Sequence, residues 1–161
     1  MKKAAIFIIC NIILFSCKSD KGDSASQTGI NVIIPNAIVT HPMVTREMRE
    51  REHVIRSDTE NVYQLQVSFD EGKSFQDIDF SQYTLLGKYT SGGGCKVNFE
   101  RNVSKNMLDK QMIYSIQVKQ YGLCEMLVES MNWVLISKLS NDYSVVFTVK
   151  ESREDNELPF P

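Results

Sequence analysis

From Asp79 to its end the chain repeats one pattern: short runs in which apolar and polar residues alternate, separated by turn residues. This pattern leaves little choice of fold class. Tyr83 to Ser91 (YTLLGKYTS) reads as a strand, and Gly92-Gly93-Gly94 as a break that admits positive φ. Lys96 to Val103 alternates through Val97 and Phe99, and Met112 to Tyr121 through Tyr114, Ile116 and Val118. Met126 to Lys138 carries the apolar run Trp133-Val134-Leu135-Ile136. Ser140-Asn141-Asp142 supplies a turn, and Tyr143 to Lys150 (YSVVFTVK) completes the set. Period two is the period of a strand with one buried face. The expectation is a mainly β domain, an antiparallel sheet or sandwich of about six short strands with one or two short helices.

The preceding stretch gives mixed signals. Val32-Ile33-Ile34 reads as a short first strand stopped by Pro35. Thr45 to Arg56 (TREMREREHVIR) is the most charged stretch, and Glu47 and Arg51 have the spacing of a helical ion pair. A helix there would be largely solvated, with His53-Val54-Ile55 as the alternative start of a strand. Ser57-Asp58-Thr59-Glu60 has the spacing of a capping box, which predicts a helix over 58–69. Tyr63, Leu65, Val67 and Phe69 alternate, so a strand is the competing reading. Ser68-x-Asp70-x-Gly72-x-Ser74-Phe75 resembles the Asp-box hairpin of sialidase-type propeller blades. A propeller needs several copies, so a single one in a short chain implies only a turn.

The N-terminus sets the compartment. Met1-Lys2-Lys3 is followed by Ala4 to Phe15 (AAIFIICNIILF), an apolar run too short for the roughly 20 residues that cross a bilayer. It fits the apolar region of an export signal. Leu14-Phe15-Ser16-Cys17 then resembles the bacterial lipobox. This implies a signal peptide over 1–16, removed to leave Cys17 acylated at the mature N-terminus. Two acyl chains anchor stably where one does not. The expected location is therefore the cell envelope, lipid-anchored, at the outer membrane on its periplasmic or surface face. Lys18 to Asn31 (KSDKGDSASQTGIN) is polar, so 17–31 reads as a flexible tether. Its charged start resembles tethers that direct some lipoproteins to the surface, and Asp23-Ser24-Ala25 resembles an O-glycosylation site. A single domain over 32–155 and a tail over 156–161 complete the division.

Processing also fixes the cysteine arithmetic. Of four cysteines, Cys10 leaves with the signal and Cys17 carries lipid, so Cys95 and Cys124 remain. In an oxidising compartment these two predict one structural disulfide; the competing redox role lacks a Cys-x-x-Cys spacing. Loss of Lys2 and Lys3 leaves 16 basic against 20 acidic residues, a mildly acidic domain with no electrostatic footprint for nucleic acid.

Ile78-Asp79-Phe80-Ser81, Leu85-Leu86-Gly87 and Thr90-Ser91-Gly92-Gly93-Gly94 together resemble the PrcB-like domain. Val134-Leu135-Ile136-Ser137-Lys138 and Val145-Val146-Phe147 resemble its closing strands, so the likeness spans about residues 53–149. Where that family places an aromatic after its paired glycines, this chain has Gly94-Cys95. The resemblance implies a non-catalytic module that binds or stabilises an envelope protease or other complex. Gly92, Gly93 and Gly94, with neighbouring loops, are the expected partner contacts.

No catalytic residues are expected, and no metal or cofactor. No nucleophile-elbow pattern surrounds any serine. Asp70, Glu71, Asp77 and Asp79 are oxygen donors without an EF-hand spacing, and read better as a solvated turn. Gly92-Gly93-Gly94 lacks the Gly-Lys-Ser/Thr of a phosphate loop. Trp133, beside Val134-Leu135-Ile136, reads as core. The alternative is an envelope hydrolase using His41 or His53, the two histidines of the chain.

Overall fold

The structure is a computed structural model and describes residues 32–40 and 43–154. The signal peptide, Cys17, the tether, His41 and the 156–161 tail lie outside the described residues. Nine strands and one short helix form within them: β1 (Ile38–Thr40), α1 (Arg46–Glu50), β2 (Glu52–Ile55), β3 (Gln66–Ser68), β4 (Gln76–Asp77), β5 (Tyr83–Gly93), β6 (Lys96–Asn106), β7 (Gln111–Tyr121), β8 (Leu127–Ser137) and β9 (Ser144–Glu154). The mainly β class is borne out. The five strands read after Asp79 are the five long ones.

The strands form three sheets, ordered β1-β3-β4, β2-β5-β8 and β6-β7-β9. β2-β5-β8 is the central layer. On one face Leu85, Met131, Trp133 and Leu135 pack with Leu65 and Val67 of the β1-β3-β4 side and with Met48 of α1. On the other face Leu86, Val134 and Ile136 meet Val103, Met112, Tyr114, Ile116 and Val118 of β6 and β7. A strand covered on both faces has no polar side to show, so Trp133-Val134-Leu135-Ile136 does not alternate. β7 is covered on one face only, and Met112, Tyr114, Ile116 and Val118 alternate with less buried residues. Each fully buried Leu, Val or Ile contributes about 1.5–3 kcal/mol over leaving it exposed.

One pairing departs from the antiparallel expectation. β9 runs parallel to β7, from Gln111↔Ser144 to Tyr121↔Glu154. β8, between them in sequence, sits in the central sheet. The chain thus returns to the same end before pairing again, as a parallel pair requires.

The helix expected over 58–69 does not form. Its first turn does: Glu60 N and Asn61 N donate to Ser57 O at 3.1 and 3.2 Å. Asn61 then bonds Leu65 through its side chain, Oδ1 accepting from Leu65 N (3.0 Å) and Nδ2 donating to Leu65 O (3.1 Å). A side chain has taken the backbone groups that a helix would use, and Gln64 turns the chain with φ 53°. Leu65 and Val67 follow with strand period into the core.

The charged segment is helical only over α1. Thr45 Oγ1 caps it by accepting from Met48 N at 3.2 Å, and the Glu47–Arg51 pair forms at 3.1 Å. From Glu52 the chain is β2, the alternative reading. Val32–Ile34 is not a ladder strand. It lies across the seam between two sheets, with Val32 N donating to Val103 O (2.9 Å), Ile34 N to Leu135 O (2.8 Å), and one bridge at Ile33↔Ile136.

Candidate interaction surface

Two connections cross between the central and outer sheets at one end of the molecule. Gly94-Cys95 joins β5 to β6, and Gly122 to Met126 joins β7 to β8. The Cys95–Cys124 disulfide ties them together, as the cysteine arithmetic predicts. Hydrogen bonds repeat the link: Gly94 N donates to Met126 O (3.0 Å) and Cys95 N to Tyr121 O (2.7 Å). Gly122 N donates to Glu154 O at 3.2 Å, bringing the end of β9 into the same cluster.

The glycine break expected at 92–94 falls at the end of β5, with positive φ at Gly94. Gly92 and Gly93 are the last residues of β5, and Gly92 and Gly94 are buried. A Cβ on Gly92 would stand 2.8 Å from Val97 Cγ1 and 2.9 Å from Val118 Cγ1, so the absent side chain lets the two sheets close. Gly94 has φ +143°, and its Cβ would meet Tyr121 O at 2.7 Å. Gly92 and Gly94 serve internal packing, Gly93 is partly exposed, and the neighbouring connection adds apolar surface at this end.

That connection is apolar and exposed. Leu123, Met126 and Leu127 are 74, 54 and 69% exposed around the disulfide. Scattered exposed apolar residues are ordinary. Two on a connection held by a disulfide and three backbone bonds, with Leu127 opening β8 beside them, form an apolar tip instead. The sequence places Met126 and Leu127 only at the start of the segment 126–138 and does not single them out.

The hydrolase alternative turns on the histidines. His53 is buried and its Nε2 lies 3.1 Å from Met48 O; a carbonyl only accepts, so Nε2 carries the proton. Its ring meets Tyr63 at 5.5 Å and Trp133 at 5.4 Å between centroids. Burial lowers its pKa from 6.5. This is the setting of a neutral core histidine, with its donor used by the backbone.

The four acidic residues are distributed rather than convergent. Asp70 Oδ1 accepts from Ser68 Oγ (2.6 Å) and Ser74 N (2.9 Å), and Oδ2 from Ser74 Oγ (2.6 Å). Asp79 accepts from Ser81 and Gln82. Asp77 accepts from Gln66 across the β3–β4 pair. Glu71 lies 3.9 Å from Lys73, the oxygens of Asp70 and Asp79 serve turns, and among the described residues no group of three or more His, Cys, Asp or Glu could hold a metal ion. Trp133 is core, 4% exposed, with its indole over Gly87 of the neighbouring strand. Comparisons with protein-family models, curated proteins and solved structures found no match to this chain.

Proposed function

We propose that this protein is an envelope-anchored lipoprotein whose β domain is a non-catalytic interaction module, stabilising an envelope protease or another envelope complex. The observation that carries this reading is the apolar tip of Leu123, Met126 and Leu127 at the disulfide-tied connection and the start of β8. An exposed apolar cluster is what a protein interface buries at its centre. The lipobox-like Leu14-Phe15-Ser16-Cys17 and the likeness to the PrcB-like domain support it from the sequence side. Anchoring raises the effective concentration near a partner in the same membrane, so a small interface suffices.

The test is crosslinking and copurification from detergent-solubilised envelope, comparing wild type with Leu123→Glu/Leu127→Glu. Wild type should retain a specific protein partner that the variant loses at unchanged thermal stability. The purified domain should show no hydrolytic turnover. Equal capture by both proteins, or measurable turnover by the domain alone, would overturn the proposal.

A further inference from the structure

The end opposite the disulfide carries a second apolar tip. The β6–β7 hairpin turns through Met107 to Lys110, and Met107 and Leu108 are 72 and 88% exposed. The turn is held by its own side chains. Asn106 Oδ1 accepts from Leu108 N (3.0 Å) and Asp109 N (3.2 Å), and Asn106 Nδ2 donates to Asp109 Oδ2 (2.7 Å). Lys110 follows with φ 49° and pairs with Asp142 at 2.8 Å. Lys105 lies with Nζ 4.7 Å from the centroid of the Tyr143 ring. The two largest apolar side chains of the loop are thus fixed in the solvent, with a tyrosine and two lysines behind them. Tyrosine and lysine, each with an apolar body and a polar tip, suit the headgroup level of a bilayer.

The path of the chain says which surface this tip meets. Val32 N donates to Val103 O, three residues from the end of β6, and Ile33 bridges Ile136, one residue from the end of β8. The chain therefore enters the domain beside the Met107–Leu108 tip and far from Cys95–Cys124. A coil of the length of residues 17–31 has an r.m.s. span of about 20 Å. The 11-residue strands β6 and β7 are roughly 35 Å long. The tether expected over 17–31, with that span, would hold the near end at the membrane more often than the far end.

We infer that Met107 and Leu108 insert into the lipid surface to which Cys17 is anchored, so that the domain stands on the bilayer by its β6–β7 hairpin and presents the disulfide end outward. The inference rests on the lipid-anchor reading. Insertion buries only two side chains, too little to bind a free domain, and it acts by orienting one that is already tethered. It gives the two apolar tips different roles: one meets lipid, and the other remains available to a protein.

The test uses the full-length processed protein, with Leu108→Cys or Arg153→Cys carrying an environment-sensitive fluorophore. Arg153 is exposed near the far end of β9, beside Gln120. The proteins are reconstituted into phosphatidylethanolamine–phosphatidylglycerol vesicles, with and without brominated acyl chains, and the acylation of Cys17 is read independently by intact mass. The label at 108 should shift to the blue on reconstitution and be quenched by brominated lipid, while the label at 153 stays water-exposed and unquenched. A label at 108 that remains in water on an acylated protein overturns this inference and leaves the anchor standing. A blue shift at 108 that grows with protein concentration without vesicles assigns the tip to a second copy and also overturns it. Absence of acyl chains on Cys17 overturns both readings.

Discussion

Gly87 and Trp133 face each other across β5 and β8, and the indole occupies the space a side chain on residue 87 would need. A Cβ there would stand 2.0 Å from Trp133 Cζ3, which no small rotation relieves in a core this dense. Gly87→Ala should therefore destabilise the domain by about 1–3 kcal/mol, the usual effect of overpacking. Gly93→Ala, whose Cβ would come no closer than 3.6 Å to Met126 O, should cost much less. Chemical denaturation of the two variants checks the contrast, and equal losses would show that strand propensity rather than the indole decides. Asp70 poses a residue-scale question of charge. Bonds from Ser68 and Ser74 hold its carboxyl at about 2, below the usual 3.8. The native state thus releases this proton more readily than the unfolded chain does. Its contribution is complete above about pH 4 and is lost as pH falls through 2. Carbon-detected titration should place the Asp70 midpoint near 2, and Asp70→Asn should flatten that part of the acid limb.

The disulfide acts on whole elements, because it joins the β5–β6 connection to the β7–β8 connection. Cys95→Ser/Cys124→Ser should lower stability by about 3–4 kcal/mol on the loop-closure estimate. Amide exchange should rise first at Gly94 to Lys96 and Gly122 to Met126, and an unchanged exchange pattern there would refute that placement. This pairing was legible in the sequence, since the expected processing leaves only two cysteines. The long strands were legible for a different reason: β7 alternates with period two, and β5 and β8 carry apolar runs bounded by turn residues. The segment 57–69 was not. Ser57 and Glu60 carry a real helix-start signal and do form a turn, but Asn61 captures the Leu65 amide, a bond between side chain and backbone that periodicity does not report. β1, β3 and β4 are three residues or fewer, too short for any period to register. The interaction surface was least legible. An apolar residue in sequence is read as buried by default, so the exposure of Leu123, Met126, Leu127, Met107 and Leu108 had to come from the fold.

At the scale of the whole molecule, the central sheet belongs to two cores at once. Leu85 and Leu135 face the layer containing Met48 and Leu65, whereas Leu86, Val134 and Ile136 face the layer containing Val103 and Tyr114. Neither layer can lose its packing without uncovering one face of β5 and β8. Arg101 Nη1 donating to Trp133 O (3.1 Å) and Tyr114 Oη to Asn132 O (2.8 Å) tie the outer sheet to the same strand. Local opening of one core therefore exposes apolar surface that the other core shares, and the two should unfold together. Trp133, the chain's single tryptophan, reports on the first core. The amide protons of β7 report on the second. In urea the fluorescence transition should coincide with loss of protection at Tyr114 and Ile116, with one midpoint and one slope, as a two-state domain of this size requires. Two separated transitions would mean that the parallel β7–β9 closure holds the outer sheet together by itself, and that the central sheet is a boundary between folding units rather than their common wall.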